Sequence, residues 1–216
     1  MTDLVVACVN VGDYCGRGRE YVRKLRAGVS RHLPLPHRFV CVTDDLEPIE
    51  GVEFIAAPPV RPVGAFRNVG WLTKVELYRP GFLPDGRVLY IDLDSIITGD
   101  LVPLAEYDGA FAGLRNFFDP GFGTGLLSWS PEGGKRMWDF FETIRESGGL
   151  ANLDSEQAAI NRFLPDSPRL QDFVPGIYSY KVHCTNGLPD DARIVCFHGR
   201  PRPHEANGWV KEAWVE

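Results

Sequence analysis

Two aspartates one residue apart, Asp92 and Asp94, close the run Val88-Leu89-Tyr90-Ile91-Asp92-Leu93-Asp94-Ser95-Ile96. Its apolar part reads as a strand. Side chains alternate along a strand, which predicts both carboxylates on one side and Leu93 on the other. Two such anions repel unless a cation lies between them, and hard carboxylate oxygens suit a divalent ion. In open α/β sheets ligands gather at the carboxyl ends of strands, where this pair would lie. The same residues also suit a strand that ends in a polar turn, since Asp is common in turns, and D-x-D by itself is a short motif that chance supplies.

The elements that must position the pair follow from periodicity. Leu4–Asn10 reads as a buried strand and 11–16 as a loop. Arg17–His32 reads as a helix, with Tyr21, Val22, Leu25 and Val29 at helical spacing and Pro34 and Pro36 as its stop. His37–Thr43 and Val52–Ala56 are predicted strands, and 58–64 is a proline-rich loop. A helix over Trp71–Tyr78, ended by Pro80-Gly81, precedes the strand Arg87–Ile91. Further strands are predicted over Ala110–Leu114, Gly125–Trp129 and Arg193–Phe197, and helices over Pro131–Arg145 and Asp154–Phe163. Alternating strands and helices over the first hundred residues predict an α/β fold. It would be a Rossmann-type, mainly parallel sheet flanked by helices, in a single domain over 1–216.

Composition narrows the partners. The 216 residues carry a net charge of −6, which argues against non-specific nucleic-acid binding. A phosphate-bearing small molecule stays open, because a metal and a few local cations can outweigh the overall sign. No apolar run is long enough for a transmembrane segment, and Met1–Ala7 reads as a strand with no leader before it. Five cysteines (Cys8, Cys15, Cys41, Cys184 and Cys196) form no C-x-x-C pair and number oddly, which points to free thiols in a reducing cytoplasm. Oligomeric state is not legible.

A longer set of motifs joins the acid pair. In order these are Trp71-Leu72-Thr73-Lys74-Val75-Glu76-Leu77-Tyr78, Val88 to Asp94, Phe122-Gly123-Thr124-Gly125-Leu126-Leu127, Glu156-Gln157-Ala158-Ala159-Ile160-Asn161, and Phe197-His198-Gly199-Arg200-Pro201-Arg202-Pro203. Together they resemble the family 8 glycosyltransferases of GT-A fold, the group containing glycogenin. The resemblance implies a retaining transferase with a nucleotide-sugar donor, UDP-linked, and a carbohydrate or other hydroxyl acceptor. It also implies Mn²⁺, or Mg²⁺, held by the D-x-D and a C-terminal histidine. Asp92, Asp94 and His198 are then the metal ligands, with Asp92 also near the ribose.

The family's C-terminal motif reads His, two residues, Gly, two residues, Lys-Pro-Trp. Here Cys196 holds the aligned histidine position and His198 comes two residues later, on the same face of a strand; a Cys thiolate matches Mn²⁺ poorly. Arg202 replaces the lysine that meets the diphosphate, and His204 replaces the tryptophan. By the same resemblance Val9, Asn10, Val11 and Tyr14 bind the nucleoside, and Tyr14 either stacks on the base or only packs. Lys74 meets phosphate or donor sugar, with Leu93, Thr124 and Gly199 in the donor-binding motifs; Gly123 replaces an asparagine. Glu156 and Gln157 face the reacting sugar, with Asp154 before them. Asp154-Ser155-Glu156-Gln157 reads equally as a helix cap with Gln at the reciprocating position. A covalent intermediate would need a carboxylate close behind the anomeric carbon; otherwise the departing phosphate takes the acceptor's proton. Phe117, Phe118, Asp119, Trp209 and Trp214 offer an acceptor surface or core packing.

Three rivals remain. A nucleotidyltransferase would use similar acids with a phosphate-cradling N-terminal loop, for which Gly12 to Arg19 is the candidate. An inactive sugar-nucleotide-binding module would keep the fold without turnover. A structural zinc would draw on His183, Cys184, Cys196 and His198, without the usual paired cysteine spacing.

Overall fold

The structure, a computed structural model, describes residues 3–59, 69–148, 153 and 155–216. The first two residues, the predicted loop from residue 60 onward and Asp154 lie outside them. Nine strands (β1 Leu4–Asn10, β2 Arg38–Thr43, β3 Glu53–Ala56, β4 Arg87–Ile91, β5 Ser95–Ile97, β6 Phe111–Arg115, β7 Phe122–Trp129, β8 Ile177–Ser179, β9 Ile194–Cys196) form two sheets among the described residues. The larger has the order β3-β2-β1-β4-β7-β6. Its first four strands are parallel, and β7 runs antiparallel to both neighbours, so β6 shares the parallel direction. The α/β, mainly parallel sheet read from the sequence is the fold observed.

Burial on both faces explains why the first strands are apolar throughout. Along β4, Leu89 and Ile91 enter one core, while Val88 and Tyr90 enter the other. The first core packs helix α1 (Gly18–His32) and the small sheet against one face. The second packs α2 (Val69–Glu76), α4 (Pro131–Glu146) and α5 (Glu156–Phe163) against the other, and short α3 (Val102–Ala105) and α6 (Trp209–Ala213) complete the first. α1 begins hard against the end of β1. A Cβ on Gly18 would stand 2.1 Å from Asn10 Oδ1, so only glycine fits.

The small sheet, ordered β5-β9-β8, is the part that periodicity does not announce. β5 and β8 have three residues each, too few to show a period. Its role is positional. β5 follows Asp94 directly and pairs Ser95 with Cys196 of β9, and Phe197 N donates to Asp94 O at 3.3 Å. The segment carrying His198 and Arg202 is thereby delivered to the acid pair.

Two expectations change. The D-x-D is not on the strand: β4 ends at Ile91, and Ser95 N donates to Asp92 O at 3.0 Å, closing a turn. Strict alternation therefore does not govern Asp94. The cap of α5 is Ser155, whose Oγ accepts from Ala158 N at 3.1 Å. This moves the reciprocating position to Ala158 and leaves Gln157 out of the cap.

Candidate active site

A cleft of about 250 Å³ opens where β4 and β7 meet the small sheet. Asp92, Asp94, Asn116, Thr124, Gln157 and His198 are among its lining residues. The turn thus brings both carboxylates to one cavity, as expected, by a route other than strand alternation.

Asp92 is anchored from below. Its backbone N–H extends the ladder to Gly125 O at 2.8 Å. Its Oδ1 accepts from Tyr90 Oη at 2.5 Å and meets Lys74 Nζ at 3.0 Å. Lys74, on α2, also reaches Glu156 Oε1 at 3.2 Å and donates to Thr124 O at 3.1 Å. Burial works against the Lys74 charge, but the carboxylates of Asp92 and Glu156 outweigh it and hold the ammonium above the ordinary lysine value. Glu156, only 2% exposed, is part of this buried network and does not line the cleft.

Asp94 is held from the other side. Its Oδ2 accepts from Tyr14 Oη and from Arg202 Nη1, both at 2.7 Å, and the guanidinium lies 4.6 Å over the Tyr14 ring. Burial first, and the Asp92 charge second, push the Asp94 carboxyl above the usual range. A backbone N–H at Asp94 and the Lys74 charge oppose that shift. One face of Tyr14 is thus covered by Arg202, while Tyr21 meets the ring edge-on at 5.1 Å.

His198 sits across the cleft between the rings of Phe117 and Phe118, at 5.4 and 5.5 Å. Its Nε2 is closed off and has no hydrogen-bond partner among the described residues. Burial, the leading cause, lowers its pKa and favours the neutral imidazole that ligates metals. Cys196 also lines the cavity, but burial raises its thiol well above the ordinary value and keeps it protonated.

The donor set of two carboxylates and one imidazole suits a hard divalent ion. An orphaned Nε2 on a histidine that lines the same cleft as two carboxylates fits such a guest. Among the described residues, however, no three His, Cys, Asp or Glu side chains are already closed around a common point. The fourfold His/Cys zinc arrangement gains nothing from the geometry, since His183 Nδ1 accepts from Ser179 N at 3.1 Å.

The other expected site residues divide. Val9 and Asn10 end β1, Val11 follows it, and none of the three lines this cleft; Asn10 is buried against Gly18 and accepts from Tyr14 N at 3.4 Å. Leu93 is a core residue. Gly199 adopts φ 69°, and Lys181 Nζ lies 3.8 Å from where its Cβ would stand. The 12–18 loop is not a phosphate cradle in this conformation. Gly12 N donates to Asp44, Gly16 N to Asp13 O and Gly18 N to Asp13 Oδ1. Sequence reasoning missed Tyr90 and Asn116. Tyr90 was detectable, because position i−2 on a strand shares a face with Asp92.

No family model matches the chain, and no curated protein does. The fold is that of the GT-A glycosyltransferases, and solved structures of that class superpose on nearly all of it. The galactosyltransferase LgtC, in complex with donor and acceptor sugar analogs, aligns with TM-score 0.66 at 13% identity, over 92% of this chain and 88% of LgtC. The glycosyltransferase GlyE of Streptococcus pneumoniae TIGR4 aligns with TM-score 0.65 at 19% identity, over 99% of this chain and 60% of GlyE. The bifunctional WbbM gives TM-score 0.64 at 11% identity, over 98% of this chain and 49% of WbbM. Among the described residues no helix is long and apolar enough to cross a membrane.

Proposed function

We propose that the chain is a metal-dependent, retaining glycosyltransferase of the family 8 type. It would act as one domain in the cytoplasm and move a sugar from a UDP-linked donor to a carbohydrate or other hydroxyl acceptor. The observation that carries this reading is the juxtaposition, in one cleft of a GT-A-like fold, of two carboxylates from a strand end with an unpartnered histidine nitrogen.

Asp92, Asp94 and His198 would hold Mn²⁺ or Mg²⁺, which supplies Lewis-acid neutralisation of a departing diphosphate. The chain's own cations add to that. Arg202 stands beside Asp94, with Lys181 at the Gly199 turn, where fixed positive charge favours an anionic leaving group. Thr124 and Gln157 line the cleft and are placed to hold sugar hydroxyls. Glu156 is sealed beneath Lys74, so Asp92 and Asp94 are the only carboxylates among the described lining residues, Asp154 lying outside the described residues.

The test is a thermal-shift screen of nucleotide sugars with and without Mn²⁺. A ligand that binds the native state raises its melting point, and the rise should appear for a UDP-sugar with metal. No shift for any nucleotide sugar under either condition overturns the reading.

A further inference from the structure

The two aspartates are tied in the same pattern. Asp92 Oδ1 takes one phenol and one ammonium, from Tyr90 at 2.5 Å and Lys74 at 3.0 Å. Asp94 Oδ2 takes one phenol and one guanidinium, from Tyr14 and Arg202, each at 2.7 Å. No side chain of another described residue donates to Asp92 Oδ2 or Asp94 Oδ1, and the only further hydrogen bond to the Asp94 carboxyl comes from its own backbone N–H. Asp92 Oδ2 instead lies over Gly125, 3.2 Å from where a Cβ would stand, so the missing side chain leaves it room.

A carboxylate with one oxygen doubly bonded to donors cannot rotate freely, and the open oxygen keeps a fixed direction. The two phenols reach this arrangement from unrelated parts of the chain. Tyr90 is on β4 and buried in the second core, whereas Tyr14 is half-buried on a turn of 3₁₀ helix after β1.

We propose that Tyr90 and Tyr14 are positioning residues: each ties one oxygen of one aspartate and leaves the other free, so that a divalent ion is offered a single oxygen from each. The inference rests on the metal-dependent reading above and adds to it which groups set the ligand geometry. Hydrogen-bonded supports of this kind are worth about 10–100-fold in metal affinity.

The experiment is Mn²⁺ binding without donor or acceptor, by calorimetry and by loss of the free-ion paramagnetic resonance signal. It is run on the wild type, Tyr90→Phe, Tyr14→Phe and the double variant. Each phenylalanine keeps the ring and its packing, so melting in the absence of metal should stay close to wild type. Each single variant should bind Mn²⁺ about tenfold more weakly, and the double about a hundredfold. Should Tyr90→Phe fail to fold, Tyr14→Phe carries the same test from the less buried position. Wild-type binding with both variants within twofold of it overturns the inference and leaves the metal reading standing. A wild type that binds no Mn²⁺ overturns both.

Discussion

Asp92 and Asp94 are the same residue type two positions apart, yet they belong to different environments. The Asp92 side is a floor. Lys74, with 13% of its side chain exposed, stands between Asp92, 36% exposed, and Glu156, 2% exposed, and α2, α5, β4 and β7 each supply a group to the network. The Asp94 side is a rim in its partners only: Arg202, 25% exposed, and Tyr14 sit on connecting segments, while the Asp94 side chain is itself 11% exposed against 36% for Asp92. Breaking a buried ion network leaves an uncompensated charge in a low-dielectric interior, whereas a part-exposed partner such as Arg202 can turn to water or to a ligand. The difference teaches that Asp92 is tied into the fold, while Asp94 is held by groups that a ligand can compete with.

That contrast can be broken by substitution. Lys74→Met leaves Asp92 and Glu156 facing each other without a cation, and should destabilise by about 3–5 kcal/mol in urea denaturation. A loss under about 1 kcal/mol would mean that the floor is not an electrostatic unit. Asp92→Asn should lower stability by about 2 kcal/mol, because it takes one of two counter-charges from Lys74. Asp94→Asn should abolish metal-dependent donor turnover while moving the melting temperature by less than about 3 °C, under 1 kcal/mol for a chain of this size. Full turnover in Asp94→Asn would remove the rim from the chemistry. Arg202→Gln should weaken UDP binding about tenfold, near 1.4 kcal/mol, measured by calorimetry. Its stability cost should be about 1–3 kcal/mol, because it leaves the buried Asp94 carboxyl without its cation.

The floor and the rim were not equally legible in the sequence. β1 and β4 are observed with the bounds expected for them, because each is a long apolar run buried on two faces. Lys74 was found as a motif residue, but its pairing with Glu156 was not, since nothing local joins α2 to α5. Glu156 was expected to face the sugar and instead lies under the cleft as the lysine's second partner. The rim depends on contacts spanning 80 residues for Tyr14 and 108 for Arg202. No periodicity reports such contacts, and only the order of motifs pointed to Arg202 and His198. The small sheet that makes the delivery has strands too short to read.

The smallest effect sharpens the comparison from the floor's own support. Ser155 caps α5, and Glu156 is the first residue of that helix, so the cap fixes where one wall of the floor begins. Ser155→Ala removes an acceptor for Ala158 N and should cost about 1 kcal/mol in urea denaturation. If the floor is held chiefly by its ion network, Glu156 stays on Lys74 despite the frayed cap, and Mn²⁺ affinity stays within twofold of wild type. If the affinity falls as well, the helix end and not the ion network is setting Asp92. Floor and rim would then be one mobile unit, because loosening a wall remote from Asp94 would have reached the open oxygens of both carboxylates.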